Sequence, residues 1–255
     1  MGDLFYREIG EGTPIIILHG LFGASDNWMS IGKLLGKKNK VYLLDQRNHG
    51  NSIKSDAFDY NTMAQDVVTF IEEHQIENPI ILGHSMGGKV AMNLAIESPE
   101  KISKLIIADI GPKAYPVHHQ VILEGLSAIN PDVIKSRKEA DDILAGYVKT
   151  AGIRQFLLKN LGRKESGGFE WKINLPIITE KIENVGEPLN TQCKFEKPTL
   201  FIRGGNSNYI LDEDFDLIHT IFTNSRIETI KNAGHWLHAE QPQIFVELVT
   251  NFLKE

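Results

Sequence analysis

The chain has 255 residues, 42% of them hydrophobic and 24% charged, a balance that belongs to folded globular proteins and excludes the disordered and fibrous classes. A net charge of −6 without any Lys/Arg cluster excludes a general nucleic-acid binder, which needs a basic face to release counterions. The single cysteine, Cys193, allows no internal disulfide and points to a reducing compartment. With no signal-peptide pattern and no apolar stretch of bilayer-spanning length, the expectation is a cytoplasmic protein that does not enter membranes.

Continuously apolar runs at residues 14–18 (PIIIL), 41–44 (VYLL), 79–82 (PIIL) and 105–108 (LIIA) predict strands covered on both faces. Helical periodicity is predicted over 27–35, 62–74 and 86–97. This alternation predicts βαβ units and a mostly parallel central sheet flanked by helices. After Ile110 the alternation stops, and the stretch up to Lys197 reads as amphipathic helices punctuated by Gly and Pro, with no buried-strand run. It resumes with a strand at 199–202, a helix at 212–222, a strand at 226–230 and a closing helix at 241–253. The organisation expected is a core of residues 1–111 and 198–255, with 112–197 inserted as a helical cap.

The chemistry concentrates at strand ends. Gly83-His84-Ser85-Met86-Gly87-Gly88 has the G-x-S-x-G form and lies between a buried strand and the helix that starts at once. At such an elbow the Ser backbone is strained, the glycines remove Cβ atoms that would clash, and the hydroxyl stands exposed above the sheet. The helix that follows aims its N-terminal dipole and free N–H groups at the same spot. Gly83 to Lys89 also spells most of a phosphate-binding loop, but that loop needs Ser or Thr after the Lys to hold magnesium, and here stands Val90.

A serine nucleophile requires a histidine, and nine are present. Gly234-His235, directly after the last strand, is the candidate base; His238, three residues on, reads as packing or capping, and a His235/His238 metal pair would lack further ligands. The orienting acid is less direct. The loop Arg203-Gly204-Gly205-Asn206-Ser207-Asn208 carries Ser207 where an Asp is common, and a serine cannot hold a developing imidazolium by charge. Asp109, at the end of the 105–108 strand, is favoured over Asp212 and Asp214, which read as helix caps, and Ser207 is expected to add a hydrogen bond near His235.

His19-Gly20-Leu21-Phe22-Gly23 follows the first buried strand, where one backbone N–H for an oxyanion is expected. Leu21 and Met86 are the donors read here, with Phe22 a neighbouring alternative, while His19 braces the loop. Asp45-Gln46-Arg47-Asn48-His49-Gly50-Asn51-Ser52 reads as structural, its Asp and Arg pairing or capping backbone at a tight turn. Phe22, Tyr115, Trp171, Tyr209 and Trp236 are candidate walls of an apolar pocket.

Together HGLFG, DQRNHGNS, GHSMGG, ADIGP, GGNS and GHWLHAEQP resemble the YbfF-type bacterial carboxylesterases of the α/β-hydrolase superfamily. The resemblance spans both halves of the core and implies the α/β-hydrolase fold. It also implies ester or acyl thioester hydrolysis through an acyl-enzyme on Ser85 without cofactor or metal, and a family acid at the position of Asp109 with serine at that of Ser207. A small-molecule ester or thioester is then the expected partner. Fold and triad do not fix the reaction, so carbon–carbon hydrolysis, cofactor-free haloperoxidase-like chemistry and a slow-turnover ligand receptor stay open.

Overall fold

The computed structural model describes residues 3–189 and 192–255. Among the described residues seven strands form one sheet in the order β1-β3-β2-β4-β5-β8-β9: β1 (Tyr6–Ile9), β2 (Thr13–Leu18), β3 (Asn39–Leu44), β4 (Ile80–His84), β5 (Lys104–Ala108), β8 (Thr199–Gly204) and β9 (Ser225–Ile230). All neighbours are parallel except β1, which runs antiparallel to β3 along one edge. The predicted strands are all present. β1 is an addition, and it escapes a search for apolar runs because YREI is only half-buried, as an edge strand can be.

Period two sends the side chains of each inner strand to opposite faces. Ile15 and Ile17 join one core with Leu43, Leu82, Leu200 and Phe245, beneath α1 (Met29–Leu35) and α9 (Pro242–Leu253). Ile16 and Leu18 join the other with Val67, Val90 and Phe201, beneath α2 (Tyr60–Glu73) and α3 (Met86–Glu97). Each such Ile or Leu, fully out of water, contributes about 1.5–3 kcal/mol. Helix α2 starts where the Asp59 side chain accepts from Thr62 N–H at 2.8 Å, two residues earlier than its periodicity alone predicts.

Between β5 and β8 the chain leaves the sheet. It forms α4 (Gln120–Ser127), α5 (Arg137–Leu144), α6 (Ala151–Leu158) and α7 (Leu175–Glu180), and also a hairpin of β6 (Leu161–Arg163) and β7 (Phe169–Trp171). The hairpin corrects the purely helical expectation. Its strands are three residues each, too short to leave a periodic signature, and its turn runs through Gly167 and Gly168, both at positive φ. Leu189 N–H donates to Pro112 O at 2.7 Å, so the excursion closes on itself at its root. Fully buried Lys89 of α3 reaches both sides of that root, donating to Lys113 O at 2.6 Å and Glu187 O at 3.0 Å. Burial lowers the Lys89 pKa to about 7. Among the described residues no helix is long and apolar enough to cross a membrane.

Candidate active site

Ser85 occupies the elbow between β4 and α3 at φ 53°, ψ −120°, a conformation that costs about 1–3 kcal/mol and survives only where packing fixes it. The packing requirement is visible in the glycines. A Cβ on Gly83 would lie 2.2 Å from Gly87 O, and one on Gly87 would lie 2.4 Å from Leu18 O and 2.6 Å from His19 O. Helix α3 can therefore start hard against the end of β2 only if these positions carry no side chain. On the opposite side, a Cβ on Gly20 would come 3.3 Å from the Ser85 Cβ, which sets the HGLFG loop directly against the serine.

The parallel sheet then delivers its partners to the same rim. Asp109 follows β5, fully buried and itself at φ 51°; its N–H donates to Ile202 O, and Ser85 N–H donates to Ala108 O, at 2.8 and 3.1 Å. His235 follows β9. Gly204 makes the approach of that loop feasible, since a Cβ there would sit 2.3 Å from Gly234 O. The result is a continuous line: Ser85 Oγ to His235 Nε2 at 3.0 Å, and His235 Nδ1 to Asp109 Oδ2 at 2.8 Å. A carboxylate only accepts, so Nδ1 carries the proton and Nε2 is left to accept from the serine hydroxyl.

Asp109 takes two more bonds. Gly204 N–H donates to Oδ1 at 2.9 Å, and the Ser207 hydroxyl donates to Oδ2. The two rival acids are engaged elsewhere: Asp212 pairs with Arg203 at 2.6 Å, and Asp214 pairs with Lys113 at 2.6 Å while accepting from Leu211 N–H at 2.8 Å.

The Leu21 and Met86 amides lie on the two segments that meet at Ser85, and among the described residues neither is bonded to an internal acceptor. Phe22 is corrected as an oxyanion donor, because its N–H is engaged, donating to His49 Nε2 at 3.2 Å. Burial lowers the His49 pKa to about 3, with the charge of His19 adding to it, so the ring stays a neutral acceptor. His19 braces the same loop, accepting from Gln46 N–H at 3.0 Å and donating to Gly20 O at 2.8 Å. Burial likewise lowers its pKa. In the adjoining loop Asp45 accepts from Ser25 and Asn51 N–H at 2.6 and 2.9 Å, whereas Arg47 pairs with Asp66 on α2 rather than with Asp45.

Ser85 and His235 open into a cavity of about 630 Å³. Phe22, Tyr209 and Trp236 line it from the core, and Tyr115, Ile122, Ile153 and Phe156 from the inserted segment. Trp171 is corrected: it lies on the hairpin, paired with Leu161, its carbonyl accepts from Lys54 Nζ, and it is not among the residues that line the cavity. Three contributors escape sequence reasoning. His84 Nε2–H donates to the His235 carbonyl at 2.8 Å, and Gly204 supplies its amide to Asp109. Asn160 of the insertion, buried, donates to Phe22 O at 2.7 Å and so pins the HGLFG loop from above. His84 stands inside the quoted GHSMGG motif, whereas nothing in the linear sequence singles out Asn160.

Among the described residues no group of three or more His, Cys, Asp or Glu side chains is gathered to hold a metal. The phosphate-loop reading of Gly83 to Lys89 fails on geometry too, since the Lys89 amine is committed to two carbonyls.

The family model described as "alpha/beta hydrolase fold" matches residues 13–242. "Esterase YbfF" of Escherichia coli is 32% identical over 246 residues, covering 96% of this chain and 94% of that protein. "sn-1-specific diacylglycerol lipase ABHD11" of Mus musculus is 37% identical over 255 residues, covering 96% of this chain and 82% of that protein. A solved structure titled "Marine microorganism esterase" superposes with a TM-score of 0.96 at 43% identity, covering 99% of this chain and all of that one.

Proposed function

The chain belongs to the α/β-hydrolase fold family, and from that premise we propose that it is a serine carboxylesterase acting on esters of small to medium acyl groups, with thioesters as chemically related substrates. The observation that carries this reading is the unbroken line from Ser85 Oγ through His235 to the buried Asp109 at the mouth of an apolar cavity. The mouse and Escherichia coli relatives, named as a lipase and an esterase, support the ester class.

In this mechanism Ser85 Oγ attacks the acyl carbonyl as its proton passes to His235 Nε2. The oxyanion is held by the Leu21 and Met86 amides, assisted by the N-terminal dipole of α3. Asp109 keeps the Nδ1–H tautomer and stabilises the imidazolium. That imidazolium protonates the departing alkoxide, leaving an acyl-enzyme on Ser85. Water then attacks the acyl carbonyl, gives its proton to Nε2 and releases the acid as Ser85 recovers its hydrogen. The segment 112–197 acts as a cap, and its residues Ile122, Ile153 and Phe156 receive the acyl chain.

Labelling with a fluorophosphonate, alongside hydrolysis of p-nitrophenyl esters of increasing chain length and of acyl-CoA thioesters, tests the proposal. Ser85 is expected to be the labelled residue, and Ser85→Ala is expected to lower kcat by roughly 10⁴-fold or more at an unchanged melting temperature. Undiminished ester hydrolysis by folded Ser85→Ala would sink it.

A further inference from the structure

His235 is held in its plane by Asp109 and Ser85, and one of its faces is covered as well. The Tyr209 ring lies parallel to the imidazole, with 3.9 Å between centroids and 16° between planes. Tyr209 is itself fixed at both ends of its backbone: its N–H donates to Ser207 Oγ at 3.2 Å, and its carbonyl accepts from the Tyr115 hydroxyl at 2.5 Å. Tyr115 stands at the root of the inserted segment, where its hydroxyl also accepts from Gly111 N–H at 2.8 Å. A residue of the insertion thus clamps a residue of the β8–α8 loop, where α8 is Phe215–Ile221, onto the imidazole.

We propose that Tyr209 is a positioning residue for His235, its ring face steadying the imidazole and favouring the imidazolium of the transition state, and that Tyr115 seats it there. This deepens the esterase reading and rests on it. The negative face of an aromatic ring attracts a cation placed over it by a factor of about two to thirty in the equilibrium.

The groups facing the imidazole from the surrounding elements leave this role open. Asp109 is the anion in its plane, with the neutral hydroxyls of Ser85 and Ser207 beside it. His84 flanks it with 4.8 Å between centroids, Trp236 lies at 6.1 Å, and His238 and His119 couple to it electrostatically. Burial holds the pKa values of His84, His238 and His119 down, that of His238 to about 3, so none of these brings a positive charge at neutral pH. Burial, with the charge of Asp109 adding to it, raises the Tyr209 phenol, which therefore stays a neutral ring.

The pH dependence of kcat/KM for p-nitrophenyl butyrate tests the idea. Removing a ring face that favours the imidazolium moves the acid limb of the profile to lower pH. Tyr209→Leu is expected to lower kcat about three- to thirty-fold and to shift that limb down by about 0.5 to 1.5 pH units. Tyr209→Phe restores the limb. Pentafluorophenylalanine at position 209 keeps the shape while reversing the ring's charge distribution; it is expected to follow Tyr209→Leu and replaces that variant should the latter not fold. Tyr115→Phe, which removes the clamp and keeps both rings, is expected to lower kcat with a smaller limb shift in the same direction.

A fixed acid limb in the leucine and fluorinated variants, with only KM raised, would make Tyr209 a cavity wall and overturn the proposal, and an unchanged Tyr115→Phe would overturn the clamp. Wild-type protein that neither hydrolyses the ester nor takes the fluorophosphonate label would instead overturn the esterase reading itself.

Discussion

At the scale of single residues, the arrangement around Asp109 divides labour between a charge and a hydroxyl. A buried carboxylate is costly unless donors surround it, and Asp109 has three, from Gly204, Ser207 and His235. Ser207 also accepts from Tyr209 N–H, so it organises the loop as well as the acid. Asp109→Asn keeps the shape but can present an amide N–H₂ to the ring, which favours the wrong tautomer; kcat is expected to drop about 10³- to 10⁴-fold. Ser207→Ala leaves the charge and two donors in place, and a loss of about tenfold is expected, the worth of one hydrogen bond to a charged group. Steady-state kinetics on both variants decide the matter: a larger loss for Ser207→Ala than for Asp109→Asn would refute this division. Sequence order and the end of a strand were enough to point at Asp109. The stacking of Tyr209 and the reach of Asn160 depend on loops whose course no local pattern dictates.

At the scale of elements, the site is a matter of how closely α3 approaches the end of β2. Gly87 sits at that contact, with a would-be Cβ 2.4 Å and 2.6 Å from two backbone oxygens that cannot swing aside. Gly87→Ala must push the HGLFG loop away from α3 and spread the Leu21 and Met86 amides. A loss of about 10²-fold in kcat is expected, similar to losing one oxyanion donor, with a melting temperature lower by several degrees. Gly152→Ala is the control: its Cβ meets nothing within 4 Å on α6, and no loss of stability or activity is expected. Normal kcat in folded Gly87→Ala would show that the approach is dispensable. The inner elements were legible because parallel strands buried on both faces must be continuously apolar, and such runs stand out in this sequence. β1 and the β6–β7 hairpin were not, since a half-buried edge strand and three-residue strands carry no comparable pattern. The walls of the cavity were partly legible for the same reason: Tyr115 and Tyr209 sit near core strand ends, whereas Trp171 depended on where an unseen hairpin would turn.

At the scale of the whole molecule, the buried imidazoles couple folding to pH. Burial depresses His49 and His238 to about 3, His84 well below its ordinary value, and His19 in the same direction. Each is neutral in the folded protein at pH values where the unfolded chain, with an ordinary histidine pKa of about 6.5, has already bound a proton. The unfolded state therefore holds more protons between about pH 6.5 and pH 3, and stability falls as pH is lowered through that window, by up to about 1.4 kcal/mol per pH unit for each histidine. The bonds at stake lie at the site: protonated His49 could no longer accept from Phe22 N–H, nor protonated His19 from Gln46 N–H. Acid is thus expected to loosen the HGLFG loop together with the fold. Urea unfolding midpoints should decline from pH 8 to 7, where buried Lys89, held near 7, is only partly protonated while the unfolded lysine is fully charged, and drop steeply from pH 6.5 to 5, above the range where carboxylates titrate. His49→Asn, whose side-chain oxygen can still accept without titrating, should flatten the slope below pH 6.5 by about one histidine's share. Midpoints that hold steady down to pH 5 would mean that these rings are hydrated or charged in the folded protein.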